Sequence, residues 1–255
     1  MLGWLKDRLA PARRIPDVLW RQTLAQYGFL AKRPETDTLK LRALSEQFLR
    51  QKQFSGAHGL VVTDDMAVAI AAQACLPVLH LGLGMYKDFK GIVIHPGPMV
   101  ARRSVVDAAG VHHFYKETLV GEAMQGGPVT LSWQDTAASP GHTERGFNVV
   151  IHEFAHKLDM HPSSGGVANG CPPLLRRVTM AHWQATMQTA YETFKDQTAM
   201  AERFGAPASW LDAYGSTSPA EFFAVATEAY FVNPTQFAME FASVKSLFDQ
   251  YFGPE

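Results

Sequence analysis

The stretch Val149-Val-Ile-His-Glu-Phe-Ala-His-Lys-Leu-Asp159 contains His152-Glu153-x-x-His156. On a helix, residues four apart sit nearly above one another, so both imidazoles point the same way and can hold one ion. Neutral imidazole nitrogens bind zinc at ~2.0–2.1 Å. Glu153 follows the first histidine and flanks the face they share. From there its carboxylate can reach a metal-bound water without occupying the metal, which is the position of a general base. A chain with 10 histidines in 255 residues should contain this pattern by chance on the order of 0.02 times. Val149, Val150 and Ile151 before the motif and Leu158 after it give the helix a buried face, where two histidines and a carboxylate are costly unless something binds them. The bland alternative is a helix with two satisfied histidines and a surface glutamate. Lys157 puts a charge where such motifs carry an uncharged residue, and its stem is expected to snorkel outward.

Catalytic zinc takes three protein ligands plus water. His161 is one candidate, but the extended motif form needs glycine at 159 and histidine at 162, where this chain has Asp159 and Pro162. His161 therefore also reads as a loop histidine. Glu221, in Asp212-Ala-Tyr-Gly-Ser-Thr-Ser-Pro-Ala-Glu-Phe-Phe-Ala, could reach the ion from a second helix. Yet Ser218-Pro219-Ala220-Glu221 is also a capping box, in which Glu221 would fold back onto the Ser218 amide. Glu228, one heptad along, is a rival ligand, and spacing leaves the two open. Asp159 could orient a histidine from behind the metal, or be a solvated residue at the helix end. Tyr214 could donate to a developing oxyanion, or be an ordinary packed tyrosine. Val129–Trp133 is expected as an edge strand able to pair with an extended peptide.

These residues need elements to position them. Residues 1–55 read as helical, with Leu39, Leu41, Leu44, Phe48 and Leu49 on one face. Residues 56–135 are sheet-rich, with strands expected at Gly59–Thr63, Val78–Leu83, Gly91–His95 and Val129–Trp133, and a helix at Asp64–Ala74. From 146 to 252 helices dominate: Phe147–Asp159, Pro173–Phe204, Pro219–Val232 and Thr235–Phe252. Ser163–Pro173 reads as a flexible loop. The order helices, sheet, helices predicts a single α+β, zincin-like domain over 1–255, with a small mixed sheet, a motif-bearing helix and a helical C-terminal part.

Composition narrows the function classes. Lys+Arg 23 against Asp+Glu 24 gives a net charge of −1, which argues against a direct nucleic-acid footprint. Charges at Lys6, Asp7 and Arg8 interrupt any secretory apolar run, and no stretch is long enough to span a membrane. Lys6–Arg14 is mildly basic and reads as a solvated helix or frayed arm, with a membrane-surface contact as the alternative. Two cysteines, Cys75 and Cys171, suit free thiols in a reducing cytoplasm and are too few for a Cys-rich zinc site. A monomer is the favoured oligomeric state.

Residues along the chain resemble the Mlc titration factor A family of bacterial metallopeptidases. The resemblance rests on His152-Glu-Phe-Ala-His-Lys-Leu-Asp, Tyr214 and Ser218-Pro-Ala-Glu-Phe-Phe-Ala-Val. Leu76-Pro-Val-Leu, Gly91–Pro98, Gly127-Pro-Val-Thr-Leu-Ser-Trp and Gly146-Phe-Asn-Val-Val-Ile-His extend it. A more distant similarity, confined to the motif helix and the Tyr…Ala-Glu-Phe-Phe segment, is to the catalytic domain of anthrax lethal factor. The resemblance implies a gluzincin: His152, His156 and Glu221 on one zinc ion, Glu153 as base, Tyr214 as oxyanion donor, and Glu228 a helix-face residue. It also implies a cytoplasmic aminopeptidase-type enzyme acting on peptide or protein substrates. With it comes a part in transcription and sugar-phosphotransferase regulation, through binding the glucose-responsive repressor Mlc. The contrasting expectation is a non-catalytic binding protein that sequesters such a repressor, its zinc site secondary. A purely structural metal site fits less well, because structural zinc is closed by four ligands.

Overall fold

The computed structural model describes residues 14–106, 112–174 and 178–254. It opens with α1 (Asp17–Gln26), α2 (Gly28–Ala31) and α3 (Glu35–Gln51), followed by β1 (Gln53–Gly56), α4 (Asp64–Cys75) and β2 (Gly91–His95). Next come β3 (Met99–Val106), β4 (His112–Leu119), β5 (Gly121–Ala123) and β6 (Val129–Ser132). The chain then runs through α5 (Trp133–Ala138), α6 (Val149–Asp159), α7 (Met180–Phe204), α8 (Pro219–Val232), α9 (Pro234–Glu240) and α10 (Ala242–Phe252).

A four-stranded mixed sheet has the order β1-β2-β6-β5, with β1, β2 and β6 parallel and β5 antiparallel to β6; β3 and β4 form a separate antiparallel hairpin. The architecture is α+β, as the sequence predicts. Ile92 pairs with Val129 and Ile94 with Leu131, and all four side chains are fully buried, which pins the register of the two inner strands. Helix α6 packs against β5, β6, α4 and α8. Its Val149, Val150, Ile151, Phe154, Ala155 and Leu158 belong to a hydrophobic core cluster running from Ile15 to Phe252. Phe154 is held among the rings of Phe48, Tyr86 and Phe89 at centroid distances of 5.7, 5.1 and 5.9 Å. The motif helix is thus a core element, and its reactive face is held rigidly from behind.

Several local expectations are corrected. Gly59–Thr63 is not a strand: His58 and Gly59 take positive φ (52° and 80°), turning the chain away from the sheet and leaving Val61 exposed. Val78–Leu83 is a buried turn closed by Gly82 N–H donating to Val78 O; its apolar residues report burial, not extension. Val129–Trp133 yields β6, an inner strand, and the sheet edge beside α6 is β5 instead. The first strand starts at Gln53, inside the stretch read as helical. The closing helix is two, broken at Phe241, whose ring stacks on Phe237 at 5.5 Å and meets Phe194 and Phe222 at 6.0 Å. The β3–β4 hairpin was not expected. The N-terminal basic run lies, Arg14 apart, outside the described residues.

Candidate metal centre

Asn148 starts α6. Its Oδ1 accepts the Ile151 amide at 2.9 Å, the N-cap bond that satisfies one of the helix's orphan donors. Its Nδ2 donates to Gln73 Oε1 on α4 at 2.7 Å, and its N–H donates to Glu228 Oε2 on α8. One fully buried residue therefore fixes the start of the motif helix to two neighbours. The sequence reading missed this residue, although an asparagine just before an apolar run is a legible helix start.

On α8, Pro219 occupies the first position and Ser218 Oγ accepts the Glu221 N–H at 3.1 Å. Only this half of the capping box forms. The Glu221 carboxylate turns to the histidines instead: Oε2 lies 3.1 Å from Nε2 of His152 and 3.1 Å from Nε2 of His156, and the two nitrogens are 3.2 Å apart. Glu228 is not a fourth member of this cluster. Its Oε1 accepts from His152 Nδ1 at 2.7 Å, on the opposite side of the imidazole, while its carboxylate is 2% exposed. A proton held on Nδ1 leaves the Nε2 lone pair facing Glu221. Glu228 is thus more than the helix-face residue the resemblance implied. Nδ1 of His156 is buried without a hydrogen-bond partner.

Among the described residues, His152, His156 and Glu221 are the one group whose ligand atoms converge closely enough to hold a metal ion. Two imidazole nitrogens and a carboxylate oxygen are a suitable donor set. Ligands of a tetrahedral ion with ~2.0–2.1 Å bonds stand about 3.3–3.4 Å apart. The observed triangle, with edges of 3.1, 3.1 and 3.2 Å, needs only a small expansion. Protonation preferences point the same way. Burial alone would raise the Glu221 carboxyl and lower the His152 imidazole, yet the mutual hydrogen bonds, with Glu228 added for His152, push each the other way. The cluster stabilises positive charge between its donors, which is what a cation supplies.

Glu153 is 5% exposed, and burial pushes its carboxyl up to about 7, against the opposing pull of His152 and His156. Gly121 of β5 makes room for it: a Cβ there would stand 2.4 Å from Glu153 Oε1. Tyr214 lies on a 3-10 turn, Ala213–Ser216, capped by Asp212 Oδ1 accepting the Tyr214 amide at 2.9 Å. Its ring centroid is 6.1 Å from that of His152, so it lines the cleft.

The last turn of α6 departs from expectation twice. Lys157 does not snorkel outward. It is fully buried, and Nζ donates to Met124 O at 2.7 Å and Gly127 O at 3.1 Å, with Asp88 at 3.7 Å and the Phe89 ring centroid at 4.4 Å. It holds the turn between β5 and β6. Asp159 neither orients a histidine nor meets solvent. Fully buried, it accepts the amides of Asn169 at 2.8 Å, Gly170 at 2.7 Å and Cys171 at 2.9 Å. The loop read as flexible is thereby fastened to the helix. His161 caps Pro162–Ser164, with Nδ1 accepting the Ser163 amide at 3.1 Å, and stands apart from the metal-ligating group. Cys75 and Cys171 are free. No helix of the described residues is long and apolar enough to cross a membrane.

Comparison with known proteins agrees with this geometry. The chain is 34% identical over 252 residues to Mlc titration factor A of Cronobacter sakazakii, covering 99% of this chain and 91% of that protein. It is 35% identical over 233 residues to Mlc titration factor A of Serratia proteamaculans, covering 91% and 86%. To the protein of that name in Yersinia pestis it is 33% identical over 252 residues, covering 99% and 90%. The family model for glucose-regulated metallo-peptidase M90 matches residues 1–253. With the ligand triangle, the buried glutamate and these full-length relatives in hand, the chain belongs to the glucose-regulated metallo-peptidase M90 family.

Proposed function

We propose that this chain is a zinc-dependent peptidase of aminopeptidase type, folded as a single domain. In this reading His152, His156 and Glu221 hold the ion, Glu153 is the general base and Tyr214 is the oxyanion donor. The observation that carries it is the triangle of Nε2, Nε2 and Oε2 atoms with the buried Glu153 beside it. When bound, zinc supplies a Lewis acid that acidifies a water and polarises a carbonyl. Glu153 takes the proton from the attacking water and returns it to the leaving amine; a carboxyl poised near neutrality suits both transfers. Glu228 keeps the proton on His152 Nδ1, so that Nε2 stays a ligand. Tyr214 donates its phenolic proton to the oxygen of the attacked carbonyl. The test is Glu153→Gln: metal content by elemental analysis should stay at one ion per chain, while peptide hydrolysis falls by orders of magnitude. Unchanged turnover would refute the assignment.

The relatives' name favours a second role alongside the first: binding of a transcription repressor of the Mlc type in the cytoplasm. A pull-down with the purified repressor separates the two roles. Capture by Glu153→Gln as strong as by the parent protein would show that repressor binding does not need hydrolysis; loss of capture would tie binding to the active cleft.

A further inference from the structure

Two cavities flank the reactive residues and share Leu119, Gly121, His152, Glu153 and Tyr214 as their common wall. Their linings differ. One, of about 300 Å³, is bordered by Glu122, Ala123, Met160 and Ala168, with the ligands His156 and Glu221. The other, of about 220 Å³, is bordered by Val120, Phe147, Val149 and Val225, with Asp212 and with Glu228 behind His152. Of the acidic groups that line this second cavity, Glu153 stands on the shared wall, Glu228 holds His152 and Asn148, and Asp212, at the exposed rim, gives one oxygen to the Tyr214 amide. What it offers an entering group beyond these is aliphatic and aromatic surface. Its volume falls below the ~300–1,000 Å³ of pockets that hold a whole small ligand, and suits one side chain.

Strand direction says which side chain. β5 is the sheet edge beside α6, and it runs from the second cavity, at Val120 and Gly121, toward the first, at Glu122 and Ala123. Antiparallel pairing is the more stable way for a peptide to add to a strand edge. A peptide so paired runs opposite to β5, with its amino-terminal side at the 300 Å³ cavity and its carboxyl-terminal side at the 220 Å³ cavity.

We propose that the cavity formed by Val120, Phe147, Val149 and Val225 is a specificity pocket for an apolar side chain on the residue that follows the scissile bond. The inference rests on the peptidase reading and deepens it. The pocket disfavours charge because an entering ion would lose its hydration against the aliphatic wall, and a carboxylate would also face Glu153 and Glu228.

The test uses the metal-loaded full chain with two peptide series, Ala-X-Ala and X-Ala-Ala, where X is alanine, valine, leucine, phenylalanine, tryptophan, aspartate or lysine. In the first series, leucine should exceed alanine in kcat/KM by at least about tenfold, with the charged residues poorest. Val225→Phe should bring leucine and alanine to within about twofold of each other. Phe147→Ala, at a half-buried position, should extend the preference to larger aromatic residues; metal content and melting temperature check that both variants fold. A flat response to X in the first series, a charged preference, or a selectivity confined to X-Ala-Ala overturns the proposal while leaving the peptidase reading intact. If neither series is cleaved, the peptidase reading fails. Calorimetric binding of Ala-Leu-Ala and Ala-Asp-Ala to Glu153→Gln then decides the pocket: tighter binding of the leucine peptide supports it, and equal binding overturns it.

Discussion

Gly121→Ala puts the placement of Glu153 to a sharp test. A Cβ at position 121 would meet Glu153 Oε1 at 2.4 Å, Cγ at 2.6 Å and Cδ at 2.7 Å. Ordinary contact begins at 3.4 Å, so the carboxylate must withdraw by about 1 Å to reach it. The backbone is no obstacle, because Gly121 is not among the glycines with positive φ. Losing a glycine also removes about 0.4–1 kcal/mol of unfolded-state freedom, which offsets part of the crowding. A misplacement of about 1 Å at a reacting group costs roughly 10²-fold in rate, or about 2.7 kcal/mol of transition-state stabilisation. The expected variant keeps its metal and its fold and loses about two orders of magnitude in kcat. Steady-state hydrolysis, elemental analysis and a melting curve on one preparation read all three. The double variant with Glu153→Ala supplies the control: if the alanine acts through Glu153, it should cost nothing more in that background. Full turnover in Gly121→Ala, or a cost that persists without Glu153, would refute the reasoning. So would loss of the metal, which would place the clash elsewhere.

Glu228→Gln should weaken metal binding about 10–100-fold in competition with a chromophoric chelator, because the carboxylate behind His152 sets which nitrogen carries the proton. Asp159→Ala should destabilise the protein by about 3 kcal/mol in denaturant titration, since three amides lose a charged acceptor, and should open residues 163–173 to limited proteolysis. Lys52, whose ammonium burial pushes down to about 8, gives a pH signature. The unfolded chain binds more protons than the folded one between about 8 and the ordinary lysine value of 10.5, so this residue's contribution to stability should rise across that window. Lys52→Met should flatten the rise when melting temperatures of the two proteins are compared across those pH values.

The convergence of the motif residues was legible because their signal is local. His152, Glu153 and His156 lie within two turns, and helical spacing alone puts them on one face. Glu221 was ambiguous for a physical reason: its amide does make the capping bond, and only the fold shows that the carboxylate does not. Glu228, Asp159 and Lys157 were misread because their roles depend on partners far along the chain. Glu228 needs His152 and Asn148, Asp159 needs the amides of 169–171, and Lys157 needs two carbonyls of the β5–β6 turn. Helices with strong boundaries, such as Pro219–Val232, were read as observed, since Ser-Pro starts the helix and Asn-Pro follows its end. The strand errors came from short apolar runs at 59–63 and 78–83, where composition does not separate extension from a turn. The hairpin β3–β4 lies apart from the four-stranded sheet, and its alternation was not singled out.

Lys157 and Asp159 bear on how far this site can be moved or rebuilt. From one turn of α6 they reach to two segments, the β5–β6 turn and the 163–171 loop, which also meet each other at Gln125 and Gly166. A graft of His152–His156 onto a foreign helix would carry two of the proposed ligands and the proposed base without the segments that border them. A graft extended to Asp159 would bring two ionised side chains that the new host must hydrate or pair, at a cost of several kcal/mol each if it does neither. The transferable unit is therefore the helix together with both segments it anchors. A designer who wants to reshape this side of the cleft has two handles, one for each segment, and neither is one of the proposed metal ligands.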